Sequence, residues 1–454
     1  MIFFILLLGV SSALHKEAGL LQSALSNPSE FTKLFSEYAA DQDRHYLTQE
    51  RRLRAGLFRR SLKEVLDHNA KHEGWEMELN MFADMTEEEK NSYTGLNVSQ
   101  VLESMGPVEE ETFPQFLSNP SSKDWRGVAV TKVKDQKSCG SCWIFSGLGA
   151  LEGHYKTQGS ILKSFSEQEG LNCIQRNGCG GGYMSRVFDW LKGSGRLGSM
   201  KEIPYTGTQT SCNHQHTKNH LIAFRVTGYT NTRGDSNHVT ALATRGPLSV
   251  GYKIASDFFK YRGGIYTKGY CSGGGHAVTS VGYTPEYFRM KNSWGRSWGE
   301  SGYFRIGRGN VCGITDMGFA PTFQSTGQTD DGIDEEGDDG SDDGNDDGGK
   351  TCTDNHSSCP EWASRNPSEC EKNWSYMKAN CQLSCKQCEC QDMSANCAGW
   401  KSQGYCSHTY VDYMNFVCKK TCDKCGKDDG NGGDCPDGFK KCPDGSCVHQ
   451  HWTC

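Results

Sequence analysis

The chain runs to 454 residues, enough for about three ordinary domains, with 23 cysteines and a formal net charge of −7. That many cysteines point to an oxidising compartment and argue against a cytosolic protein. The negative charge is local: Asp330 to Asp347 holds eleven acidic residues, the remainder is close to neutral, and no basic face suggests nucleic acid.

In chain order, residues 1–13 predict a signal peptide, with an apolar run from Ile2 to Val10 and small residues Ser11, Ser12 and Ala13 for cleavage. The run is too short to span a bilayer, and no other segment is apolar enough to try. Residues 29–69 predict two helices. Phe31, Leu34, Phe35 and Tyr38 recur at i, i+3, i+4 and i+7, and Glu50, Arg54, Phe58, Ser61, Val65 and Asn69 keep to one helical stripe. A second cluster follows at Asn80, Phe82 and Asp84, then Glu87, Glu88 and Glu89.

The stretch from Gln136 to Trp143, Gln-Lys-Ser-Cys-Gly-Ser-Cys-Trp, carries the chemistry. Gly140 and Ser141 read as a turn and N-cap, and Trp143 to Glu152 as a mostly apolar, buried helix. Cys142 then lies in the first turn, where the positive end of the helix favours a thiolate. Downstream, Leu248 to Ile254, Val278 to Tyr283 and Gly302 to Gly307 predict strands. The second bears Gly274-Gly275-His276-Ala277-Val278 ahead of it, and Lys291-Asn292-Ser293-Trp294 follows. The histidines of the loop Cys212 to His220 read as surface residues, and no metal or cofactor is expected. Residues 324–350 predict an extended, self-repelling acidic Gly/Asp linker. Asp343-x-Asn345-x-Asp347-Gly348 only mimics the start of a calcium loop. A cysteine repeat then appears, each copy ending Cys-x3-Cys-x2-Cys, first at Cys352, Cys359, Cys370, Cys381, Cys385 and Cys388, then at Cys390, Cys397, Cys406, Cys418, Cys422 and Cys425. Units this small need disulfides.

The four motifs around Gln136, Cys142, His276 and Asn292 resemble the papain-family cysteine proteases of the cathepsin L-like group, over roughly residues 29–323. The match rests on a recognised signature. It implies an α+β fold of two lobes, one helical and one an antiparallel β-barrel, with the site in the cleft between them. It also implies catalytic roles: Cys142 as nucleophile, His276 as its imidazolium partner and general acid, Asn292 holding the imidazole plane, and Gln136 donating its amide to the oxyanion. Trp294 would cover the Asn–His bond. Tyr183, Met184, Gly251 and Met317 align with the pocket for the second residue upstream of the cut, and Gly275 stands where many relatives carry Asp. With no carboxylate at the pocket floor, a hydrophobic or aromatic side chain is expected there rather than Arg. The resemblance further implies the pairs Cys139–Cys179, Cys173–Cys212 and Cys271–Cys312, leaving Cys142 free.

The helical stripe and the Asn80-x-Phe82-x-Asp84 cluster resemble an I29-type inhibitory propeptide, whose tail runs through the cleft in the non-cleavable direction and releases at acid pH. Asp84, Glu87, Glu88 and Glu89 are candidates for that switch. The cysteine repeat resembles two ShKT domains, implying Cys352–Cys388, Cys359–Cys381, Cys370–Cys385, Cys390–Cys425, Cys397–Cys418 and Cys406–Cys422. Ser375-Tyr376 and Asp412-Tyr413 stand where the channel toxin carries Lys-Tyr, so pore block is not expected. Residues 435–454 resemble the first half of an LDL-receptor class A module, which suggests a fragment or truncated gene product. Asn97, Asn355 and Asn373 are glycosylation acceptors in form.

The expected division is 1–13 signal peptide, 14–118 propeptide, 119–323 peptidase, 324–350 linker, 351–388 and 389–425 ShKT domains, 426–434 linker and 435–454 partial module. The expected protein is a secreted or lysosome-like proenzyme, an endopeptidase acting on proteins and peptides, inhibited by its own propeptide, with an unknown ligand for its tail. The competing reading is a secreted binding or toxin-like protein in which the peptidase domain is secondary.

Overall fold

In the computed structural model the chain divides into two units, residues 1–345 and 346–454. The structure describes residues 19, 21–105, 119–213, 218–268 and 271–330 of the first, and 363–364, 384, 397–402, 418, 420–422, 439–441 and 447–449 of the second.

The two helices expected near the N-terminus are α1 (Pro28–Asp41) and α2 (Thr48–Asn69). α1 begins where the Asn27 side chain accepts from the N–H groups of Ser29 and Glu30, with Pro28 in the first turn. Phe31, Phe35 and Tyr38 of α1 meet Phe58 and Leu62 of α2 in a small core with Ala24 and Ala83. The α2 stripe ends on Asn69, whose side chain accepts from Met77 N at 2.8 Å and donates to Met77 O at 2.9 Å. That bond pair sets β1 (Trp75–Met77), which lies antiparallel on β5 (Tyr261–Tyr266). Two capped turns follow. α3 (Glu87–Asn91) has a capping box between Thr86 and Glu89, and α4 (Val98–Ser104) is capped by Asn97.

The helical side of the second half is built on α5 (Cys142–Thr157), α6 (Glu167–Cys173) and α7 (Ser185–Ser194). α5 buries thirteen of its sixteen residues, so it runs through the interior. The sheet is formed by β1, β5, β8 (Tyr303–Gly307), β7 (Tyr287–Lys291), β6 (Gly275–Tyr283), β4 (Leu248–Lys253), β9 (Met317–Ser325) and β3 (Phe224–Thr232), in that order, with β2 (Lys123–Asp124) also on β6. One pair departs from the antiparallel expectation: β5 and β8 run parallel. The chain between them, through β6 and β7, supplies the long crossover such a pair needs. β6 is central, held by β4 on one side and β7 on the other. Ser146 Oγ of α5 donates to Val278 O of β6 at 2.7 Å, fixing helix and strand to each other. Two buried clusters result. One, around α5, Met184 and Phe319, is mostly aliphatic. The other, around Phe258, Trp294, Trp298 and Phe304, is aromatic.

Cys139–Cys179, Cys173–Cys212 and Cys271–Cys312 are bonded, and Cys142 is free. The packed chain continues past the expected end at 323. β9 reaches Ser325, and the buried Asp330 carboxylate pairs with Lys163 and accepts from Tyr155 Oη at 3.1 Å. Apolar pattern ends near Phe323, so an anchor made by a lone acidic residue was invisible to it.

In the second unit Cys397 is bonded to Cys418 at the start of α8 (Cys397–Ser402), and β10 (Phe439–Lys441) pairs antiparallel with β11 (Cys447–His449). The signal peptide, most of the acidic linker, Asn355, Asn373 and at least one partner of every other expected tail disulfide lie outside the described residues. Among the described residues no helix is long and apolar enough to cross a membrane.

Candidate active site

Cys142 opens α5 with Ser141 as its N-cap, and it is fully buried. The expected capping bond is absent. The Ser141 hydroxyl pairs instead with Tyr205 Oη at 2.7 Å. The N–H groups of Cys142 and Trp143 face the sulfur, while those of Ile144 and Phe145 donate to Ser141 O. Burial pushes the Cys142 thiol up to about 12, and the N–H groups of Ala277, Trp143 and Cys142 offset only part of that.

His276 is the second residue of β6, and Asn292 directly follows β7, so the β6–β7 pairing brings the two together. His276 Nε2 lies 2.8 Å from Asn292 Oδ1. The N–H of Ser293 also donates to Oδ1, at 2.9 Å, which fixes the amide's orientation. An oxygen there can only accept, so His276 carries its proton on Nε2. Its Nδ1 is left basic, buried and without a hydrogen-bond partner among the described residues. Trp294 stacks on the imidazole at 4.7 Å and 28°. Burial pulls His276 down to about 4 despite the Asn292 hydrogen bond. Thiol and imidazole are thus both neutral in this state.

Gln136 is fully buried. Its Oε1 accepts from Ser293 Oγ at 2.7 Å, and Nε2 donates to Cys139 O at 2.9 Å and to Tyr93 O at 3.1 Å. The expected oxyanion donor is therefore engaged, because the N-terminal segment lays a carbonyl on it. Trp294 Nε1 donates to the same Tyr93 oxygen at 3.2 Å. Sequence reasoning missed Tyr205, which donates to Gln136 O at 3.0 Å and ties it to Ser141. No local pattern marks a residue that acts from 69 positions away.

From Tyr93 the segment runs on through Leu96, which forms single β-bridges to Gly182 and Gly275. The N–H groups of Gly95 and Leu96 donate to Gly275 O at 3.2 and 3.1 Å, Gly182 N to Gly95 O at 2.8 Å, and Asn97 N to Gly182 O at 3.0 Å. A side chain at Gly95 would strike Gly140 O, and one at Gly275 would strike Leu96 O, so both glycines permit close backbone approach. Leu96 is buried in the same cluster as Met184 and Met317. The place for a Cβ on Gly251 lies 2.6 Å from Leu96 Cδ2, 3.0 Å from Met184 Cε and 3.6 Å from Met317 Cβ. Tyr183 stands half-buried at the rim with the Arg186 guanidinium 4.6 Å from its ring centre. Leu96 was not singled out in the sequence, since a leucine between Gly and Asn carries no motif.

The upstream anchors are equally specific. Phe82 is fully buried against Tyr93, Phe259 and Trp294. Asp84 accepts from both Tyr38 and Tyr46. Arg54 grips Glu89 with two guanidinium nitrogens and reaches Glu50 and Asp84 O. Glu87 pairs with Lys90, and Glu88 is exposed.

Three family profiles match the chain: "Papain family cysteine protease" over residues 119–322, "Cathepsin propeptide inhibitor domain (I29)" over 35–89, and "ShK domain-like" over 351–388 and 389–425. A cathepsin L-like proteinase of Fasciola hepatica is 36% identical over 306 residues, covering 63% of this chain and 89% of its own. Papain of Carica papaya is 33% identical over 324 residues, covering 69% and 93%. Among solved structures, digestive procathepsin L2 from the Tenebrio molitor larval midgut is similar at TM-score 0.59 and 31% identity, over 64% of this chain and 99% of that one. Recombinant stem bromelain precursor is similar at TM-score 0.59 and 30% identity, over 65% and 99%. A free thiol at a helix start, an Asn-bound histidine and a stretch of the chain's own N-terminal segment bonded to Gly275 and Gly182 agree with these likenesses: the chain belongs to the papain family of cysteine proteases, as a proenzyme with its inhibitory propeptide and two ShK-like domains.

Proposed function

We propose that the mature enzyme is an endopeptidase in which Cys142 attacks the scissile carbonyl and His276 takes the thiol proton on Nδ1. The same proton then passes to the leaving amine, and water releases the acyl group from Cys142. Asn292 keeps the imidazole plane, and Trp294 shields that bond. The Gln136 amide and the Cys142 N–H serve the oxyanion once the Tyr93 carbonyl leaves. The observation that carries this reading is the path of the propeptide. Read from N- to C-terminus, it meets Gln136 and Trp294 first, through Tyr93, and the apolar pocket second, through Leu96. A substrate reaches the pocket with a residue upstream of its scissile bond. The propeptide therefore crosses in the opposite sense and presents no bond in register.

The pocket of Met184, Gly251 and Met317, walled by Gly275 and rimmed by Tyr183, selects hydrophobic or aromatic side chains. The test is acid activation of the recombinant proenzyme followed by a fluorogenic dipeptide library. Phe-Arg and Leu-Arg are expected to turn over at least about tenfold faster than Arg-Arg, since an unpaired guanidinium gains nothing there. Equal or better turnover of Arg-Arg refutes the assignment.

The acid release follows from the sign of two shifts. The Arg54 hydrogen bonds hold the Glu89 carboxyl below its usual value near 4.5. A depressed carboxyl contributes stability above its free pKa and loses it as the pH falls through the lowered one. Burial raises Glu78 instead, so that group opposes docking at neutral pH and favours it on protonation. Glu89→Gln is expected to shorten the activation half-time of the full-length proenzyme at pH 5.5 by roughly fivefold, an exposed ion pair being worth about 1 kcal/mol. It should also flatten the pH dependence. Glu78→Gly should act oppositely and steepen it. Activation curves that coincide with wild type across pH 3.5 to 6.5 would remove both carboxylates from the switch.

We further assign residues 14–118 to the propeptide, 119–323 to the peptidase and 324–350 to a linker whose first residues, as far as Asp330, pack on the peptidase, with the tail as a binding or targeting appendage of unknown ligand. Asn97, Asn355 and Asn373 would carry glycans in a secreted or lysosome-like setting. Asn97 is exposed, and its amide oxygen accepts from Gln100 N.

A further inference from the structure

Tyr252 lies on β4 directly across from His276 on β6. It is fully buried, and its hydroxyl has no hydrogen-bond partner among the described residues. Its ring packs among Phe258 at 5.8 Å, His276 at 6.0 Å and Phe304 at 6.0 Å. A leucine or phenylalanine would fill the same apolar space without stranding a hydroxyl, and a buried unpaired polar group is destabilising. His276 Nδ1 is stranded in the same way on the partner strand. Two orphan polar atoms therefore sit on one cross-strand pair at the centre of the site.

We propose that Tyr252 is a positioning residue of the active site, its hydroxyl being held uncommitted in the proenzyme so that it can solvate the thiolate–imidazolium pair once the propeptide leaves. The inference rests on the reading of Cys142 and His276 as the catalytic pair. Forming that pair moves one proton from Sγ to Nδ1 and turns two neutral groups into two charges. The walls of the aromatic cluster cannot stabilise those charges. A rotatable O–H dipole can, with its hydrogen toward the thiolate or its oxygen toward the imidazolium.

The groups facing Tyr252 are few. Phe258 and Phe304 are apolar, and His276 faces it from β6. From α5 the charge of a Cys142 thiolate would act on it, and from β5 that of Tyr266. Tyr266 Oη is already committed to Asp257 at 2.7 Å, which leaves Tyr252 the uncommitted hydroxyl among them. Lys253, next on β4, is exposed.

The test compares the pH profile of kcat/KM for wild-type and Tyr252→Phe enzyme, both expressed as full-length proenzyme and acid-activated. Loss of the hydroxyl should narrow the bell, raising the acid limb and lowering the alkaline limb by about half a unit each, or roughly threefold in rate on either flank. Melting temperature should stay level or rise. Superimposable limbs would overturn the proposal, as would a uniform fall in rate with no movement of either limb. Alkylation of Cys142 by iodoacetamide against pH gives the acid limb independently of turnover, so a variant that activates poorly remains informative. A wild-type enzyme without Cys142-dependent hydrolysis would instead defeat the catalytic reading itself.

Discussion

Cys142→Ala is expected to lower hydrolysis by the acid-activated enzyme about 10⁴- to 10⁶-fold at every pH, the size of loss that removal of a covalent nucleophile produces. His276→Ala should cost about as much, since the two act as one unit. The proenzyme explains why the native thiol must change state first. With burial holding it up at about 12, the Cys142 sulfur is a thiol rather than a thiolate at pH 7. His276, near 4, is neutral there and offers no compensating charge. Both shifts come chiefly from burial, and the segment from Tyr93 to Asn97 is bonded to Gly275, the neighbour of His276. When that segment leaves, the burial cost falls, while the N–H groups of the first turn of α5 stay in place. The thiol must then drop and the imidazole rise until the proton crosses. Iodoacetamide should accordingly label Cys142 at least about 10³-fold faster in the activated enzyme than in the intact proenzyme at pH 7. Equal labelling rates would mean that the propeptide blocks substrate without altering the thiol.

What the sequence made legible follows from which forces leave a local trace. The α2 stripe was readable because one helix face must be apolar, and the same stripe ends on Asn69, whose two bonds to Met77 turn the chain onto β5. Gln136, Cys142, His276 and Asn292 were readable from signature motifs. Their mutual placement was not, because it depends on the β6–β7 register and on Ser146 tying α5 to Val278. Leu96, Tyr205, Tyr252 and Asp330 left no mark. Each matters through one long-range contact, and an isolated residue of ordinary type has no period or spacing to betray it. The engaged state of Gln136 was likewise illegible, since its partner is a backbone carbonyl that any residue at position 93 would supply.

Leu96→Glu is expected to abolish latency at neutral pH, raising the activity of unprocessed proenzyme about 10²- to 10³-fold. The side chain is 7% exposed and meets Gly251, Met184 and Met317. A carboxylate set among those apolar groups loses its hydration, at a cost of several kcal/mol, and each 1.4 kcal/mol is tenfold in binding. Leu96→Met conserves volume and apolarity and should change latency by less than about tenfold. Leu96→Ala, which leaves a void, should fall between the two. The graded series separates pocket filling from the backbone bonds to Gly275 and Gly182, which all three variants keep. It also joins inhibition to specificity. If Leu96 fills the pocket that selects substrate, the rank order of side chains tolerated at position 96 should follow the order preferred in the dipeptide library. A proenzyme that stays latent with Glu at position 96 would place the grip of the propeptide upstream, on Phe82 and the aromatic cluster of Tyr93, Phe259 and Trp294.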